Sequence, residues 1–183
     1  MPPLGRLLIS INYGGVMLQA LFMVPVARAL HYVVRHRAPR ASSVVLVAGL
    51  VALFGVAVIR LLQFFSPAVS DILFMGPMGF VGIWLIAVNW LLGGVFHVAL
   101  RVLGILAGLG LVILGASFFF LGGLAVLTDG PFAYTNNVNF HIGIAIGGFP
   151  AFILYPIWAI FAGRKMLRSR DFGVAAHGSP SAA

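Results

Sequence analysis

The sequence predicts an all-α integral membrane protein, a bundle of about five transmembrane helices with its N-terminus outside and its C-terminus inside. Of the 183 residues, 62% are hydrophobic and only 8% are charged, whereas soluble domains carry about 25% charged residues. The mean hydropathy is +1.13. Because so little polar surface cannot cover a globule in water, these values favour a fold that faces lipid.

Five apolar stretches follow one another along the chain, each close to the roughly 20 residues that a span needs. A basic segment ends the first, and Pro39 interrupts the helix there. The tract 72–127 is too long for one span, so a turn is expected near 93–101, where Gly93 and Gly94 lower helix stability. The predicted spans are residues 7–27, 44–65, 73–92, 102–127 and 140–162.

These spans form one predicted domain, residues 1–171. Residues 172–183 are small and polar without an apolar period, so they are predicted to form a disordered cytoplasmic tail. Lipid is therefore expected to surround most of the chain.

The distribution of basic residues predicts the orientation. With five spans, nine of the eleven basic residues fall on one side, whereas the other side has at most Arg6 and Arg60, together with the acids Asp71 and Asp129. Because short cytoplasmic loops are enriched in Lys and Arg, the basic side is expected to face the cytoplasm. The membrane itself is predicted to be a cell inner membrane. The nine are Arg28, Arg35, Arg37, Arg40, Arg101, Arg164, Lys165, Arg168 and Arg170.

Composition argues against several functions. The net charge of +8 lies at predicted helix ends, so topology explains it better than nucleic-acid binding. The chain has no cysteine and only three acidic residues, and it carries no nucleotide-binding or zinc-protease motif. No catalytic residue and no metal site is predicted, and an enzyme is the less favoured interpretation.

Five uncharged polar residues within the predicted spans could make contacts between helices: Asn12, Gln19, Gln63, Asn89 and Ser117. Asn12 and Gln19 are seven positions apart and share a helix face. Such side chains either hydrogen-bond neighbouring helices or line a path for a substrate. Packing is the favoured interpretation.

Arg60 lies near the outer end of the second span, and Asp71 follows the break at Ser66 and Pro67. An unpaired charge in an apolar setting is costly, so an ion pair between Arg60 and Asp71 is predicted. The pair would act as a structural clamp or, less favoured, as part of a binding site.

Histidine can ligate haem in helical bundles, and His97 and His141 are the weak candidates. The predicted topology places them near opposite faces of the membrane, so one cofactor shared by both is not expected.

Small residues recur in the patterns Gly104-xxx-Gly108 and Gly143-xxx-Gly147. They predict close helix packing, either within the bundle or in a homo-oligomer.

The favoured function is a non-enzymatic accessory subunit that binds a membrane protein partner. The alternatives are a small transporter or channel component, and a cofactor-binding or lipid-handling membrane protein. The biochemical role itself is not determined by these patterns.

Overall fold

The computed structural model describes the backbone of residues 3–35, 38–66 and 69–177, and the side chains of residues 7–35, 38–66 and 69–166. The chain is 83% helical, and its described part contains no β-strand. The helices are α1 (Pro3–Val34), α2 (Pro39–Phe65), α3 (Met75–Leu91), α4 (Val98–Phe120), α5 (Val138–Phe149) and α6 (Tyr155–His177), with a 3₁₀ turn at Gly123–Leu127 and a π-helical turn at Pro150–Leu154.

Four of the apolar helical stretches are long and apolar enough to cross a membrane: Leu7–Val34, Pro39–Phe65, Val98–Phe120 and Val138–Met166. The apolar helix α3 has only 17 residues, about 25 Å at roughly 1.5 Å per residue. Large apolar side chains face outward along these helices; Phe22 is 70% exposed and Phe54 is 66% exposed. Such surfaces are consistent with a membrane protein.

Helices α2 and α3 end at Phe65 and Leu91, close to the predicted ends at residues 65 and 92, whereas α1 continues past the predicted end at residue 27 to Val34. The prediction extended the fourth span to residue 127, but α4 ends at Phe120. Gly122 has a φ of 98°, a left-handed conformation that ends a helix and that glycine adopts without steric cost. The apolar residues that follow form the 3₁₀ turn instead, because hydropathy alone does not register this change of backbone direction.

The last predicted span consists of α5, the π-helical turn and the start of α6. Pro150 begins the π-helical turn; proline has no N–H to donate and its ring displaces the preceding turn, which explains the widened geometry. Helix α6 continues to His177, so the backbone of residues 172–177 is helical where a disordered tail was predicted. Residues 178–183 of that tail lie outside the described residues.

The helices alternate in direction, so the bundle has two chemically different ends. At one end, the Ser42 hydroxyl and His31 Nδ1 are 3.1 Å apart and join α2 to α1. The end of α3 lies here too, since Leu91 borders a small cavity with His31 and Ser42. His97, in the turn that follows, borders another cavity with Arg164 and Lys165 of α6. We call this end the basic end; its described basic residues are Arg28, Arg35, Arg40, Arg101, Arg164 and Lys165.

At the opposite end, the loop before α3 contacts the loop before α5. The Ser70 hydroxyl donates to the Pro131 carbonyl at 2.9 Å, and the Tyr134 hydroxyl donates to Asp71 Oδ1 at 2.8 Å. Asp129 is exposed in the same loop as Tyr134. We call this the acidic end, and the separation of charge between the two ends agrees with the pattern read from the sequence.

Glycine contacts hold α3, α4 and α5 together. A Cβ added at Gly79 of α3 would lie 2.8 Å from the Gly115 Cα of α4. One added at Gly108 would lie 2.8 Å from the Gly82 carbonyl oxygen, and one at Gly147 would lie 2.8 Å from the Gly110 carbonyl oxygen. The glycines of both predicted patterns therefore pack within the chain.

Candidate functional site

A cavity of about 400 Å³ opens at the acidic end, between the first turns of α1, the end of α2, the loop before α3 and the π-helical turn. Its polar side chains are Asn12, Tyr13, Arg60 and Asp71. Apolar side chains from α1 and from the π-helical turn complete the wall. The volume lies in the usual range of small-molecule sites, roughly 300–1,000 Å³.

Arg60 is the central charge of the cavity and is only 3% exposed. Its Nη1 donates to Gln63 Oε1 at 2.9 Å, and its guanidinium carbon lies 3.5 Å from the Phe74 ring centroid and 5.0 Å from that of Tyr13. Aromatic faces attract a guanidinium but accept no conventional hydrogen bond from it in this arrangement. Arg60 Nε is buried without a hydrogen-bond partner among the described residues.

Asp71 borders the same cavity but is held by the neighbouring loop. Tyr134 donates its hydroxyl to Asp71 Oδ1 at 2.8 Å. Burial, followed by this hydrogen bond, raises the pKa of Tyr134 to about 12. The phenol therefore stays protonated at neutral pH and keeps donating to the carboxylate.

A chain of hydrogen bonds fixes the wall of the cavity. Gln63, which accepts from Arg60, donates its Nε2 to the Ser70 carbonyl at 2.6 Å, and Ser70 donates in turn to Pro131. This chain ties α2 to both loops of the acidic end. Arg60 is consequently held in one position beside an open volume.

The predicted partners Arg60 and Asp71 thus border one cavity, but the hydrogen bonds described for them go to Gln63 and Tyr134. Asn12 borders the same cavity. Gln19 is half-buried two turns further along α1 and does not border it. Three of the polar positions singled out in the sequence therefore meet at the acidic end.

Asn89 occupies a different place, inside the contact between α3, α4 and α6. It is fully buried; Nδ2 donates to the Leu85 carbonyl at 2.8 Å and Oδ1 accepts from Trp158 Nε1 at 3.1 Å. Its backbone carbonyl accepts from Arg101 Nε at 3.1 Å. With both side-chain groups engaged in the core, Asn89 is arranged for packing.

The two histidines lie at opposite ends of the bundle. His97 precedes α4, and its Nδ1 accepts from the Ala99 N–H at 3.4 Å. His141, in the first turn of α5, lies 2.9 Å through Nε2 from the Thr135 carbonyl oxygen. The length of α4, 23 residues or about 34 Å, separates the two, so they share no site.

Sequence reasoning missed the aromatic members of both polar clusters: Tyr13, Phe74 and Tyr134 around Arg60 and Asp71, and Trp158 beside Asn89. Tyr and Trp in apolar segments usually find a hydrogen-bond partner for their polar atom. That tendency was the available signal, but the partners are distant in sequence.

No group of three or more His, Asp or Glu side chains within the described ranges is placed to hold a metal ion. The composition and geometry of the acidic-end cavity are thus the main guide to its chemistry. No family model, curated protein or solved structure matches the chain.

Proposed function

We propose that the chain is a non-enzymatic, five-span membrane protein that binds an amphiphilic ligand in the cavity at the acidic end. Of the functions expected from the sequence, this is the lipid-handling alternative. The observation that carries it is Arg60, a buried cation beside an open volume, with no carboxylate of the described residues in hydrogen-bond contact.

The charge of Arg60 defines one half of the ligand. Burying a cation costs several kcal/mol when no anion accepts a hydrogen bond from it. Asp71 acts on Arg60 electrostatically across the cavity, and the aromatic rings and Gln63 compensate a further part of that cost. A phosphate or carboxylate in the cavity would add an anion that accepts directly from the guanidinium.

Asp71 and the apolar wall define the other half. Asp71 offers negative charge beside Arg60, which suits an ammonium or hydroxyl donor of the ligand. Leu8 and Ile9 of α1 and Phe152 of the π-helical turn border the cavity and are themselves exposed, so acyl chains can reach it from the side. A zwitterionic lipid such as a phosphatidylethanolamine combines these features.

The orientation belongs to the same proposal. The basic end faces the cytoplasm according to the positive-inside tendency, which puts the N-terminus and the acidic end outside. The ligand would then enter from the outer leaflet.

A thermal-shift assay in mild detergent tests the binding. Lysophosphatidylethanolamine at about 100 times its Kd should stabilise the protein by about 2.7 kcal/mol, or roughly 5–10 °C at about 2–4 °C per kcal/mol for a chain of this size. A monoacylglycerol with the same acyl chain, which lacks both charges, should give little shift.

Ile9→Trp provides the structural test, because a larger side chain at that position would fill part of the cavity. Ile11→Trp is the matched control, since Ile11 is on the same helix, is 61% exposed and does not border the cavity. The shift should disappear in Ile9→Trp and persist in Ile11→Trp. Equal shifts in both variants, or equal shifts with both lipids, would contradict the proposal.

Native mass spectrometry of the purified protein separates this function from the accessory-subunit prediction. A bound lipid mass that is lost in Ile9→Trp supports ligand binding. A second protein chain in fixed stoichiometry, with no lipid mass, would support an accessory subunit instead.

A further inference from the structure

Tyr13 of α1 brings an uncommitted hydroxyl to the cavity at the acidic end. Its side chain borders the cavity, and its ring centroid lies 5.0 Å from the guanidinium carbon of Arg60. The phenol interacts electrostatically with both Asp71 and Arg60. Asp71 accepts from Tyr134 instead, and no hydrogen bond joins the Tyr13 hydroxyl to a described residue. This hydroxyl can therefore donate to a ligand.

Arg60 keeps donors for the same ligand. Its bond to Gln63 uses Nη1, and Nη2 makes no hydrogen bond within the described part of the chain. A ligand anion would thus meet two donors from different side chains, a guanidinium N–H and a phenol O–H. The two oxygens of a carboxylate lie in one plane and suit the fork of a single guanidinium. The oxygens of a phosphate diverge from a tetrahedral centre, so they suit donors that approach from different directions.

The charges beside the cavity favour an anion with a single negative charge. The two charged side chains described at its wall, Arg60 and Asp71, have no net charge together. A phosphodiester carries one negative charge, whereas a phosphomonoester carries about 1.5 to 2 at neutral pH. The additional charge of a monoester would be repelled by Asp71.

We infer that the acidic-end cavity selects a phosphodiester headgroup, and that the Tyr13 hydroxyl, donating beside Arg60, distinguishes it from a carboxylate. This inference rests on the proposed function, because it assigns the anion of the ligand in the same cavity. Tyr13 is accordingly a specificity-determining residue.

Titration of the full-length protein in mild detergent, followed by native mass spectrometry, tests the inference with three oleoyl lipids: lysophosphatidylethanolamine, lysophosphatidic acid and oleate. The phosphodiester should bind at least about tenfold more tightly than oleate, and the phosphomonoester should bind more weakly than the phosphodiester. Tyr13→Phe keeps the ring beside Arg60 and removes only the hydroxyl. It should weaken binding of lysophosphatidylethanolamine by about 3- to 30-fold, the loss of one hydrogen bond, and leave oleate binding within about twofold.

The matched control is Tyr32→Phe, because Tyr32 lies on the same helix, is 50% exposed and does not border the cavity. It should retain the affinity for lysophosphatidylethanolamine to within about twofold. If the wild type bound this lipid and Tyr13→Phe bound it equally well, the inference would be overturned and the proposed function would stand. Equal losses of the phosphodiester and of oleate in Tyr13→Phe would show a structural role and overturn it too. A wild type that bound none of the three lipids would overturn the proposed function and this inference together.

Discussion

The contact between α3 and α4 should be the part of the bundle that tolerates added volume least, and Gly79→Ala tests it. The new Cβ would lie 2.8 Å from the Gly115 Cα, closer than carbon atoms approach without a shift. Because the obstacle is backbone, no side-chain rotation relieves it and the two helices must separate. Overpacking of this kind costs about 1–3 kcal/mol.

Gly14→Ala in α1 is the matched control, since a Cβ at Gly14 would have nothing within 4 Å. Both substitutions replace a glycine inside a helix and gain up to about 1 kcal/mol of helix propensity. The difference between the two variants therefore isolates the packing cost. Gly79→Ala should be less stable than Gly14→Ala by about 1–3 kcal/mol.

Unfolding in mixed micelles, titrated with sodium dodecyl sulfate and followed by circular dichroism, measures both free energies. A thermal scan should place the midpoint of Gly79→Ala about 2–12 °C below that of Gly14→Ala, at roughly 2–4 °C per kcal/mol. If the two variants were equally stable, the close α3–α4 packing and the reasoning from it would be refuted.

Three further predictions concern the polar groups and the orientation. Asn89→Leu leaves Trp158 Nε1 without its acceptor and should destabilise the protein by about 1–3 kcal/mol. A double-mutant cycle with Trp158→Phe should give a coupling free energy of about 0.6 kcal/mol between the two side chains. Strictly additive effects would argue against the hydrogen bond between Trp158 and Asn89. Tyr134 has a pKa raised from 10.0 to about 12, so its contribution is complete below pH 10 and is lost as the pH rises through about 12. Tyr134→Phe should therefore be less stable than the wild type at neutral pH, with the difference vanishing above about pH 12, and an ultraviolet titration of the variant should lack one phenol that titrates near pH 12. Because the native chain has no cysteine, Ala99→Cys should be labelled by an impermeant maleimide only from the cytoplasmic side and Asn136→Cys only from outside; the reverse pattern would invert the topology.

Hydropathy was sufficient to predict the apolar helices, because the need for about 20 apolar residues leaves few places for turns. The turn near 93–101 was predicted from Gly93, Gly94 and the charges around them, and α3 and α4 are indeed separated there. The end of α4 was not predictable in the same way. Residues 121–127 are as apolar as the helix before them, and only the backbone of Gly122 distinguishes them.

The polar contacts were harder to predict, since they depend on residues far apart in the sequence. The sequence pairs Arg60 with Asp71 because they lie on either side of the break at Ser66 and Pro67, and an unpaired charge is costly in an apolar setting. In the fold, Asp71 is held by Tyr134, which is 63 residues away, and Asn89 by Trp158, which is 69 residues away. Such partners can be predicted only when the arrangement of the helices is known. The chemical character of each residue by itself does not give that arrangement.

The same arrangement explains why the acidic-end cavity lies where it does. Glycine contacts bring the backbones of α3, α4 and α5 into close approach. Helix α1 packs mainly on α2 and meets α6 over a small area, so the half of α1 at the acidic end lies beside the π-helical turn without filling the cavity between them. Arg60, by contrast, borders the side of the bundle where α1 has few neighbours besides α2. The cavity beside Arg60 therefore follows from the peripheral position of α1.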